Sequence, residues 1–473
     1  MKKQLFIHGE WVSTPHAIPI HSVSTREDLA SIAIASVEDV KRAISAAHSA
    51  TVAMRALTSA DRADILIQLA ELFKKNRLKA AEIISKESAK PLKYALAEID
   101  RTIETYRFSA EEAKRLTGEM IPMEASPNGR GRLAYTIREP IGVVAAITPF
   151  NFPQNLVAHK VGPAIAAGNS IVLKPATQTA LSAIFLAELL EQTALPKGAF
   201  NLVTGSGPVI GDVFLESPEI RMITFTGSPE VGISLRNRAS LKKVTLELGS
   251  NAGLIIDEGV DLDKIIDRII MGAFSNQGQV CISLQRIYVM ESIMEDFIVK
   301  CKKAIGTIKI GDPLDPTTEL ASMISEKEQQ RALSWINEAI EEGAELITGG
   351  CIENNILLPT LVKNAASHTR VICEEIFAPV VTVNPITTID EGIAAINDSD
   401  FGLQAGIFTK DIQTAFKASK SIQAGGVLIN DVPTYRVDHM PYGGVKNSGT
   451  GREGVKYAME DMTELKLIIW NQN

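Results

Sequence analysis

The sequence has few cysteines, and they are widely scattered. Four occur in 473 residues, and they are Cys281, Cys301, Cys351 and Cys373. Four separated thiols cannot build a disulfide framework, and none of them has the paired spacing of a zinc site. The sequence therefore predicts a protein of a reducing compartment, which we expect to be the cytoplasm, and it predicts no metal site.

Long apolar runs and an excess of basic residues are also missing. No stretch reaches the roughly 18 uninterrupted apolar residues that a membrane-spanning helix needs, and the first residues lack the apolar run of a signal peptide. Acidic residues outnumber basic ones, 56 against 48, which gives a net charge of −8. Because a nucleic-acid partner favours a basic face, we expect a soluble protein that acts on a small molecule, with neither a membrane nor a nucleic acid as partner.

The chain is too long for one core, since cores stop growing at roughly 250–300 residues. The first third reads as helices, with capping boxes at Ser36–Asp39 and Thr58–Asp61. From Val143 to Leu248 short apolar strands alternate with amphipathic helices, and a second such series begins at Leu254. This alternation is typical of doubly wound parallel sheets, and it predicts a domain boundary near residue 250.

Three residues could carry chemistry, and two of them, Asn151 and Glu247, lie near predicted strand ends. Cys281 follows a polar, glycine-containing loop whose backbone N–H groups would favour a nucleophilic thiolate; the alternative is a small buried side chain. Glu247 ends an apolar strand, where burial would suit it to act as a general base, unless it simply faces solvent. Asn151 lies between two nearby prolines that could hold its amide rigidly against an oxyanion, although asparagine is also common in turns.

Seven short motifs occur in the order found in the aldehyde dehydrogenase superfamily, and this resemblance runs over essentially the whole chain. The motifs are Pro149-Phe150-Asn151-Phe152-Pro153, Lys174-Pro175-Ala176, Phe225-Thr226-Gly227-Ser228, Glu247-Leu248-Gly249, Gly278-Gln279-Val280-Cys281, Glu374-Glu375-Ile376-Phe377-Ala378-Pro379 and Pro441-Tyr442-Gly443-Gly444-Val445-Lys446. Each motif alone is weak, whereas seven in register are highly specific.

The resemblance implies an α/β fold of two doubly wound domains and a small β arm for oligomerisation. It assigns residues 1–121 and 141–249 to a cofactor-binding domain, 250–450 to a catalytic domain, and 122–140 with 451–473 to the arm. The arm would combine a hairpin with the C-terminal strand. That strand shows no obvious partner in the sequence and hints at pairing with another subunit, so we expect a homo-oligomer, either a dimer or a tetramer.

The resemblance also implies a mechanism. The Cys281 thiolate would attack an aldehyde, and the Asn151 amide with the Cys281 backbone N–H would hold the resulting oxyanion. Hydride transfer to the nicotinamide of NAD or NADP would leave a thioester, which water activated by Glu247 would hydrolyse to the acid.

The same resemblance implies cofactor contacts. Lys174 would bind the adenosine ribose, Ser228 the pyrophosphate, and Glu375 with Phe377 the nicotinamide ribose and ring. Further contacts are expected from Thr148, Pro149, Phe150, Thr177, Gly207, Gly211, Thr226, Gly227 and Leu248. Family members that prefer NAD often carry a glutamate where this chain has Thr177. A carboxylate would repel the 2′-phosphate of NADP and a threonine would not, so we expect NADP to be at least accepted.

Three basic residues fall at positions that usually line the substrate tunnel of the family with apolar or aromatic groups. They are Arg101 on the long helix before the arm, His159 on the helix after Asn151, and Arg436 in a late loop. Each could be a surface charge, but converging cations would recognise an anionic group, and Phe152 would line the same tunnel. The local sequence most resembles the lactaldehyde, phosphonoacetaldehyde and sulfolactaldehyde branch, which implies a short aldehyde bearing phosphate, phosphonate, sulfonate or carboxylate.

Two other functions remain open from the sequence. One keeps the fold but transfers the acyl group to coenzyme A, and Glu247 argues against it because that branch needs no deacylating base there. The other is a binding or structural protein that has lost catalysis, which would have no reason to retain Cys281, Glu247 and Asn151 together.

Overall fold

A computed structural model describes residues 2–472 and shows two α/β domains with a small β arm. The α/β fold expected from the alternating sequence pattern is confirmed. Within residues 2–472 no helix combines the length and the apolar character needed to cross a membrane.

The first domain is built on an eight-stranded sheet. From edge to edge its strands are Gly449–Thr450, Lys243–Glu247, Ile220–Thr226, Val143–Ile147, Ser170–Lys174, Phe200–Leu202, Leu5–Ile7 and Glu10–Val12. The five strands between residues 143 and 247 are parallel, so their carboxyl ends lie along one edge, and the added strands on either side are antiparallel. The helices of this domain are Val37–Ala56, Ser59–Lys75, Arg77–Ser88, Leu92–Ala113, Asn155–Ala166, Ala180–Leu190, Gly207–Glu216 and Pro229–Arg238.

The second domain has a seven-stranded sheet, parallel except at one edge. Its strands, in sheet order, are Glu345–Thr348, Thr360–Lys363, Val380–Ile386, Arg286–Met290, Gly253–Ile256, Gln404–Phe408 and Gly426–Ile429. Its helices are Leu262–Phe274, Met294–Ile305, Glu326–Glu341, Arg370–Cys373, Ile389–Asn397 and Ile412–Ser421. Two short ribbons complete it, Ile352–Glu353 with Ile356–Leu357 and Phe401–Gly402 with Val445–Lys446.

The N-terminal segment differs from the helical prediction for the first third of the chain. Besides the two edge strands of the first sheet, it forms a separate three-stranded sheet from Lys2–Lys3, Ala17–His21 and Asp28–Ala33. These strands are at most six residues long, which is too short to show a clear period of two. The helices that follow do begin as predicted, because both Ser36 and Thr58 form reciprocal capping boxes.

The arm is a three-stranded antiparallel sheet of Met120–Ile121, Arg132–Pro140 and Thr463–Asn471. The C-terminal strand therefore pairs with its own chain rather than lacking a partner, and it lies at the edge of the arm sheet. The predicted boundaries need two corrections. Met120–Ile121 belongs to the arm, whereas helix Val455–Asp461, expected in the arm, packs against helix Asn155–Ala166 and adds Val455 and Met459 to the first-domain core.

Candidate active site

Cys281 follows a short loop whose backbone is left-handed at three consecutive positions. Helix Leu262–Phe274 ends just before this loop, and φ is then +51° at Asn276, +57° at Gln277 and +68° at Gly278. Residues with side chains rarely adopt this region, at a cost of about 1–3 kcal/mol each. The loop keeps this shape because its surroundings impose it.

Contacts from both domains impose the loop conformation. The Gln277 amide donates to the backbone carbonyls of Ala89 (2.8 Å) and Ser322 (3.0 Å). A Cβ atom at Gly278 would lie 2.0 Å from the Ala378 carbonyl oxygen, so glycine alone fits there. The loop therefore fixes the position of the Cys281 backbone between the domains.

Two cavities meet at Cys281. The first, called the inner cavity, has a volume of about 200 Å³ and includes Arg101, Phe152 and Arg436 in its wall. The second, called the interdomain cleft, has a volume of about 260 Å³ and includes Glu247 in its wall. Cys281 and Leu156 line both spaces, so a ligand in each could reach the sulfur from a different side.

The inner cavity adjoins a larger outer cavity of about 590 Å³. The two share Tyr94, Ala97, Met271 and Ser275 in their walls. This arrangement gives a small molecule a path to the sulfur that does not pass through the interdomain cleft.

The Cys281 sulfur lies 3.0 Å from the hydroxyl oxygen of Tyr442. Burial raises the pKa of the Cys281 thiol to about 11; the Tyr442 hydrogen bond and the Arg436 charge oppose this rise, and the Glu375 and Glu247 carboxylates add to it. The resting group near neutral pH is therefore a protonated thiol, not the preformed thiolate that the loop sequence favours. Ionisation requires a base or a change of surroundings when ligands bind.

Glu247 is the last residue of strand Lys243–Glu247 and is 3% exposed. Both of its carboxylate oxygens are buried without a hydrogen-bond partner in the described part of the chain. Burial and the charge of Glu453 raise the pKa of Glu247 well above its ordinary value of 4.5, while Arg436 and Lys160 partly offset that rise. A buried carboxylate with a raised pKa, lining the same cleft as a thiol, is suited to take up a proton.

Asn151 is buried beside the same loop. Its side-chain nitrogen donates to the Gln279 carbonyl at 3.0 Å. An amide nitrogen carries two N–H groups, so one remains for another acceptor near Cys281. The structure thus brings together all three residues that the sequence nominates for catalysis, since Asn151, Glu247 and Cys281 all line the interdomain cleft.

Most of the predicted cofactor contacts line the interdomain cleft. They are Pro149, Phe150, Thr226, Gly227, Ser228, Leu248, Glu375 and Phe377. The rings of Phe150 and Phe377 meet edge to face, with centroids 6.0 Å apart. Glu375 accepts a hydrogen bond from the Ser250 backbone N–H at 2.9 Å, and burial raises the pKa of Glu375 to about 7.

The remaining predicted cofactor residues lie outside the lining of this cleft, at the carboxyl ends of neighbouring strands. Lys174 lies beside Gly207, since a Cβ atom added to Gly207 would be 3.9 Å from the Lys174 ammonium nitrogen. Burial lowers the pKa of Lys174. The Thr177 hydroxyl lies 3.5 Å from the Gly205 carbonyl, and a Cβ atom on Gly211 would meet nothing within 4 Å. Thr148 joins this region through a backbone hydrogen bond of 3.1 Å to Lys174. These residues form a second group with open space beside it.

Arg436 lies in the wall of the inner cavity, nearly completely buried. One terminal nitrogen donates to Glu453 at 2.8 Å, and its guanidinium carbon lies 3.7 Å from the centroid of the Tyr442 ring. Burial alone would lower the pKa of Arg436, but Glu453, Tyr442 and Asp438 together outweigh burial and raise it. The Arg436 Nε is buried with no partner among residues 2–472, so one N–H of this guanidinium makes no hydrogen bond in the described structure.

Arg101 and His159 both contact Asp438, an aspartate that the sequence reasoning did not single out. Arg101 donates to its two oxygens at 2.7 and 3.1 Å, and the His159 ring is 2.8 Å from the same carboxylate. Burial raises the pKa of Asp438, but the His159 hydrogen bond and the Arg101 charge outweigh it and hold that pKa well below its usual range. Burial lowers the pKa of His159, and the charge of Arg436 adds to this.

Arg101 and His159 differ in their position relative to the inner cavity. Arg101 lines the inner cavity, whereas His159 does not and lies behind Asp438. The expectation that His159 contacts substrate is therefore corrected: its low pKa and its position make it a neutral support for Asp438.

Other site residues were also absent from the sequence-based set. Lys90 is fully buried, pairs with Glu98, and lies with its ammonium 3.8 Å from the centroid of the Phe152 ring. Tyr442 stood in a recognised motif but received no role. Charge pairs such as Arg101 with Asp438 leave no local signal in the sequence, because the partners are 337 positions apart.

Comparison with known proteins agrees with this geometry. The model of the aldehyde dehydrogenase family matches residues 11–468. The chain is 44% identical over 467 residues to a 3-sulfolactaldehyde dehydrogenase of Priestia aryabhattai, covering 99% of this chain and 98% of the relative. It is 40% identical over 471 residues to a lactaldehyde dehydrogenase of Methanococcus aeolicus, covering 99% and 100%.

Solved structures give the same result. A NADP-dependent glyceraldehyde-3-phosphate dehydrogenase from Bacillus halodurans, complexed with NADP, superimposes with a TM-score of 0.97 at 36% identity over 100% of both chains. The chain therefore belongs to the aldehyde dehydrogenase family and is an oxidoreductase that acts on aldehydes with NAD or NADP as its cofactor.

Proposed function

We propose that this enzyme oxidises a short aldehyde bearing an anionic group to the corresponding carboxylic acid. The observation that carries the proposal is Arg436, which lines the cavity that holds Cys281 and whose buried Nε has no partner in the described chain. A buried, unpaired guanidinium N–H is costly unless a ligand satisfies it.

The cations around the inner cavity retain hydrogen-bond donors that their ion pairs do not use. Lys90, Arg101 and Arg436 line it and pair with Glu98, Asp438 and Glu453 respectively. Each guanidinium has five N–H groups in a fork suited to oxyanions, and these pairs do not use all of them. An anionic substituent on the substrate would accept hydrogen bonds from the N–H groups that remain.

The size of the inner cavity supports a short substrate. About 200 Å³ is small beside the roughly 300–1,000 Å³ of typical ligand pockets. The Arg436 guanidinium stacks on the Tyr442 ring while the Tyr442 hydroxyl reaches Cys281, so only about one tyrosine ring separates the cation from the nucleophile. Relatives that act on 3-sulfolactaldehyde and glyceraldehyde-3-phosphate point to the same class of substrate.

The proposed reaction begins at Cys281. Its sulfur, once deprotonated, bonds to the aldehyde carbon as the carbonyl π bond breaks, and the remaining Asn151 N–H with the Cys281 backbone N–H stabilise the oxyanion. When bound, the oxidised nicotinamide supplies the acceptor for the hydride that leaves as the carbonyl re-forms. The product of this step is a thioester on Cys281.

Glu247 completes the proposed reaction. Its carboxylate takes a proton from water, the hydroxide adds to the thioester carbon, and the carbon–sulfur bond breaks to release the acid and the thiolate. The position of Glu247 in the cleft beside Cys281 supports water as the acceptor rather than coenzyme A.

The two groups of predicted cofactor residues fit a dinucleotide. Phe150, Glu375 and Phe377 would hold the nicotinamide half in the interdomain cleft. Lys174 and the N-terminus of helix Gly207–Glu216 would hold the adenosine half, since Lys174 has donors to spare and the glycines leave open space.

The arm supports self-association. Its edge strand exposes Leu465, Leu467, Ile469 and Trp470, and an exposed apolar edge strand favours pairing with another chain. We propose that it joins subunits of a dimer or tetramer, in the cytoplasm that the free thiols favour.

Two substrates test the anion proposal directly, because lactaldehyde is 3-sulfolactaldehyde without its sulfonate. We expect the wild-type enzyme to favour the sulfonate by kcat/KM. Arg436→Gln should raise KM for 3-sulfolactaldehyde about tenfold to a hundredfold more than KM for lactaldehyde, the loss expected for one charged hydrogen bond. Loss of the Arg436 charge beside Cys281 should lower kcat for both aldehydes alike. Arg55→Gln, at an exposed position, is the matched control. An equal rise in KM for both aldehydes would refute anion recognition by Arg436.

A further inference from the structure

Tyr442 connects the proposed anion site to the nucleophile. Its ring lies beneath the Arg436 guanidinium at 3.7 Å, and its hydroxyl is 3.0 Å from the Cys281 sulfur. The side chain is 2% exposed, and Tyr442 packs in a small apolar cluster with Val280, Ile282 and Leu403. The hydroxyl therefore has a fixed position with the sulfur as its neighbour.

The direction of this hydrogen bond follows from burial. Burial raises the pKa of Tyr442 well above its ordinary value of 10.0, so the hydroxyl keeps its proton over the working range of pH. A protonated hydroxyl beside a thiolate can only donate to it, and donation stabilises the charged form of the sulfur.

We propose that Tyr442 is a positioning residue for Cys281. It holds the sulfur at the junction of the inner cavity and the interdomain cleft, and its O–H donates to the thiolate and favours ionisation of the thiol. This inference rests on the proposed role of Cys281 as nucleophile.

The surroundings explain why such a donor is needed. The carboxylates of Glu247 and Glu375 oppose negative charge on the sulfur, while Arg436 favours it. Arg436 itself is paired with Glu453. The Tyr442 hydroxyl is the group that touches the sulfur directly, so its removal should shift the balance toward the neutral thiol.

The decisive variant is Tyr442→Phe, which keeps the ring beneath Arg436 and removes only the hydroxyl. The rate of alkylation of Cys281 by iodoacetamide is measured against pH. Cys351 and Cys373 are exposed and would react first, so both are replaced by serine in every protein compared. Tyr457→Phe is the matched control, because Tyr457 lies on helix Val455–Asp461 and lines neither of the two cavities that meet at Cys281.

We expect Tyr442→Phe to move the alkylation profile upward by about one pH unit, which is about a tenfold lower rate at any pH below the midpoint. The profile of Tyr457→Phe should coincide with that of the background protein. The kcat/KM profile of Tyr442→Phe should shift in the same direction. An unshifted or downward-shifted alkylation profile would overturn the role of Tyr442.

A second measurement needs no variant at Tyr442. The Raman Fermi doublet of tyrosine, compared between the background protein and Cys281→Ala, should show one hydroxyl that donates a hydrogen bond to Cys281 and loses that acceptor in Cys281→Ala. An unchanged doublet would overturn the hydrogen bond. Full activity in Cys281→Ser would instead overturn the proposed function itself, so the two failures are distinguishable.

Discussion

Replacement of Glu247 by glutamine separates the two halves of the proposed reaction. The carboxylate oxygens of Glu247 have no hydrogen-bond partner in the described structure, so an amide of the same shape breaks no existing contact. The variant should bind cofactor and aldehyde normally and form the thioester. Hydrolysis of the thioester should then be slow, because no base remains to activate water.

The expected fall in kcat follows from the proposed role of Glu247 as a general base. A positioned general base contributes about 10²–10⁴-fold in rate, so we expect steady-state kcat to fall by that factor. Rapid mixing of enzyme, cofactor and aldehyde should still give a burst of reduced nicotinamide absorbance close to one equivalent per active site. The wild-type enzyme under the same conditions serves as the control.

The same variant should be more stable than the wild type at alkaline pH. Because burial raises the pKa of Glu247 in the folded protein, the folded state retains a proton that the unfolded chain loses above about 4.5. The wild type is therefore destabilised relative to the variant as the pH rises from about 4.5, the pKa of Glu247 in the unfolded chain, to its raised pKa in the folded protein. The loss of unfolding free energy is about 1.4 kcal/mol for each pH unit between these two pKa values. The difference in Tm between Glu247→Gln and wild type should grow from pH 5 to pH 8.

Two results would refute this reasoning. Unchanged steady-state turnover in Glu247→Gln would show that the deacylating base is another group. Loss of the burst together with turnover would place Glu247 in the attack step, as the base that deprotonates Cys281.

Two further predictions concern the cofactor and the assembly. Thr177→Glu should lower kcat/KM with NADP at least about tenfold, because repulsion of the 2′-phosphate is worth about 1.4 kcal/mol, and should leave kcat/KM with NAD within about threefold. Thr177→Gln is the neutral control. An unchanged kcat/KM with NADP would show that Thr177 is not part of the cofactor site. Leu467→Asp should shift the protein to a smaller species in sedimentation velocity, because a buried charge would oppose pairing along the arm. The control is Glu464→Ser in the same strand, and an unchanged sedimentation coefficient would show that this edge is not an interface.

Features that depend on neighbouring residues were predictable from the sequence. The capping boxes at Ser36 and Thr58 involve residues three apart, and the apolar strands of both sheets show as continuous runs. The short N-terminal strands, at most six residues long, were missed because no helix separates them, so they lack the strand–helix alternation that identified the strands of the two large sheets.

Features that depend on distant residues were not predictable. Arg101 is 337 positions from its partner Asp438, so nothing in the sequence reveals that the Arg101 charge is compensated or that His159 lies behind the same carboxylate. The raised pKa of Cys281 has the same origin, because it reflects burial by several elements and not the loop alone. Arg101, His159 and Cys281 could be recognised from the sequence as candidate site residues. Their protonation states and ion-pair partners depend on the fold and could not.

The left-handed run before Cys281 also bears on how this enzyme could acquire new substrates. Gly278 and Gln277 hold the sulfur through contacts to both domains, while the side chains proposed to choose the aldehyde are carried by helix Leu92–Ala113 and by the segment containing Arg436. Mutation can therefore reshape selectivity while this loop keeps the Cys281 backbone in place. A laboratory library at Arg101 and Phe152, which leaves the Arg436 charge beside the sulfur unchanged, should yield variants with altered aldehyde preference that still transfer hydride.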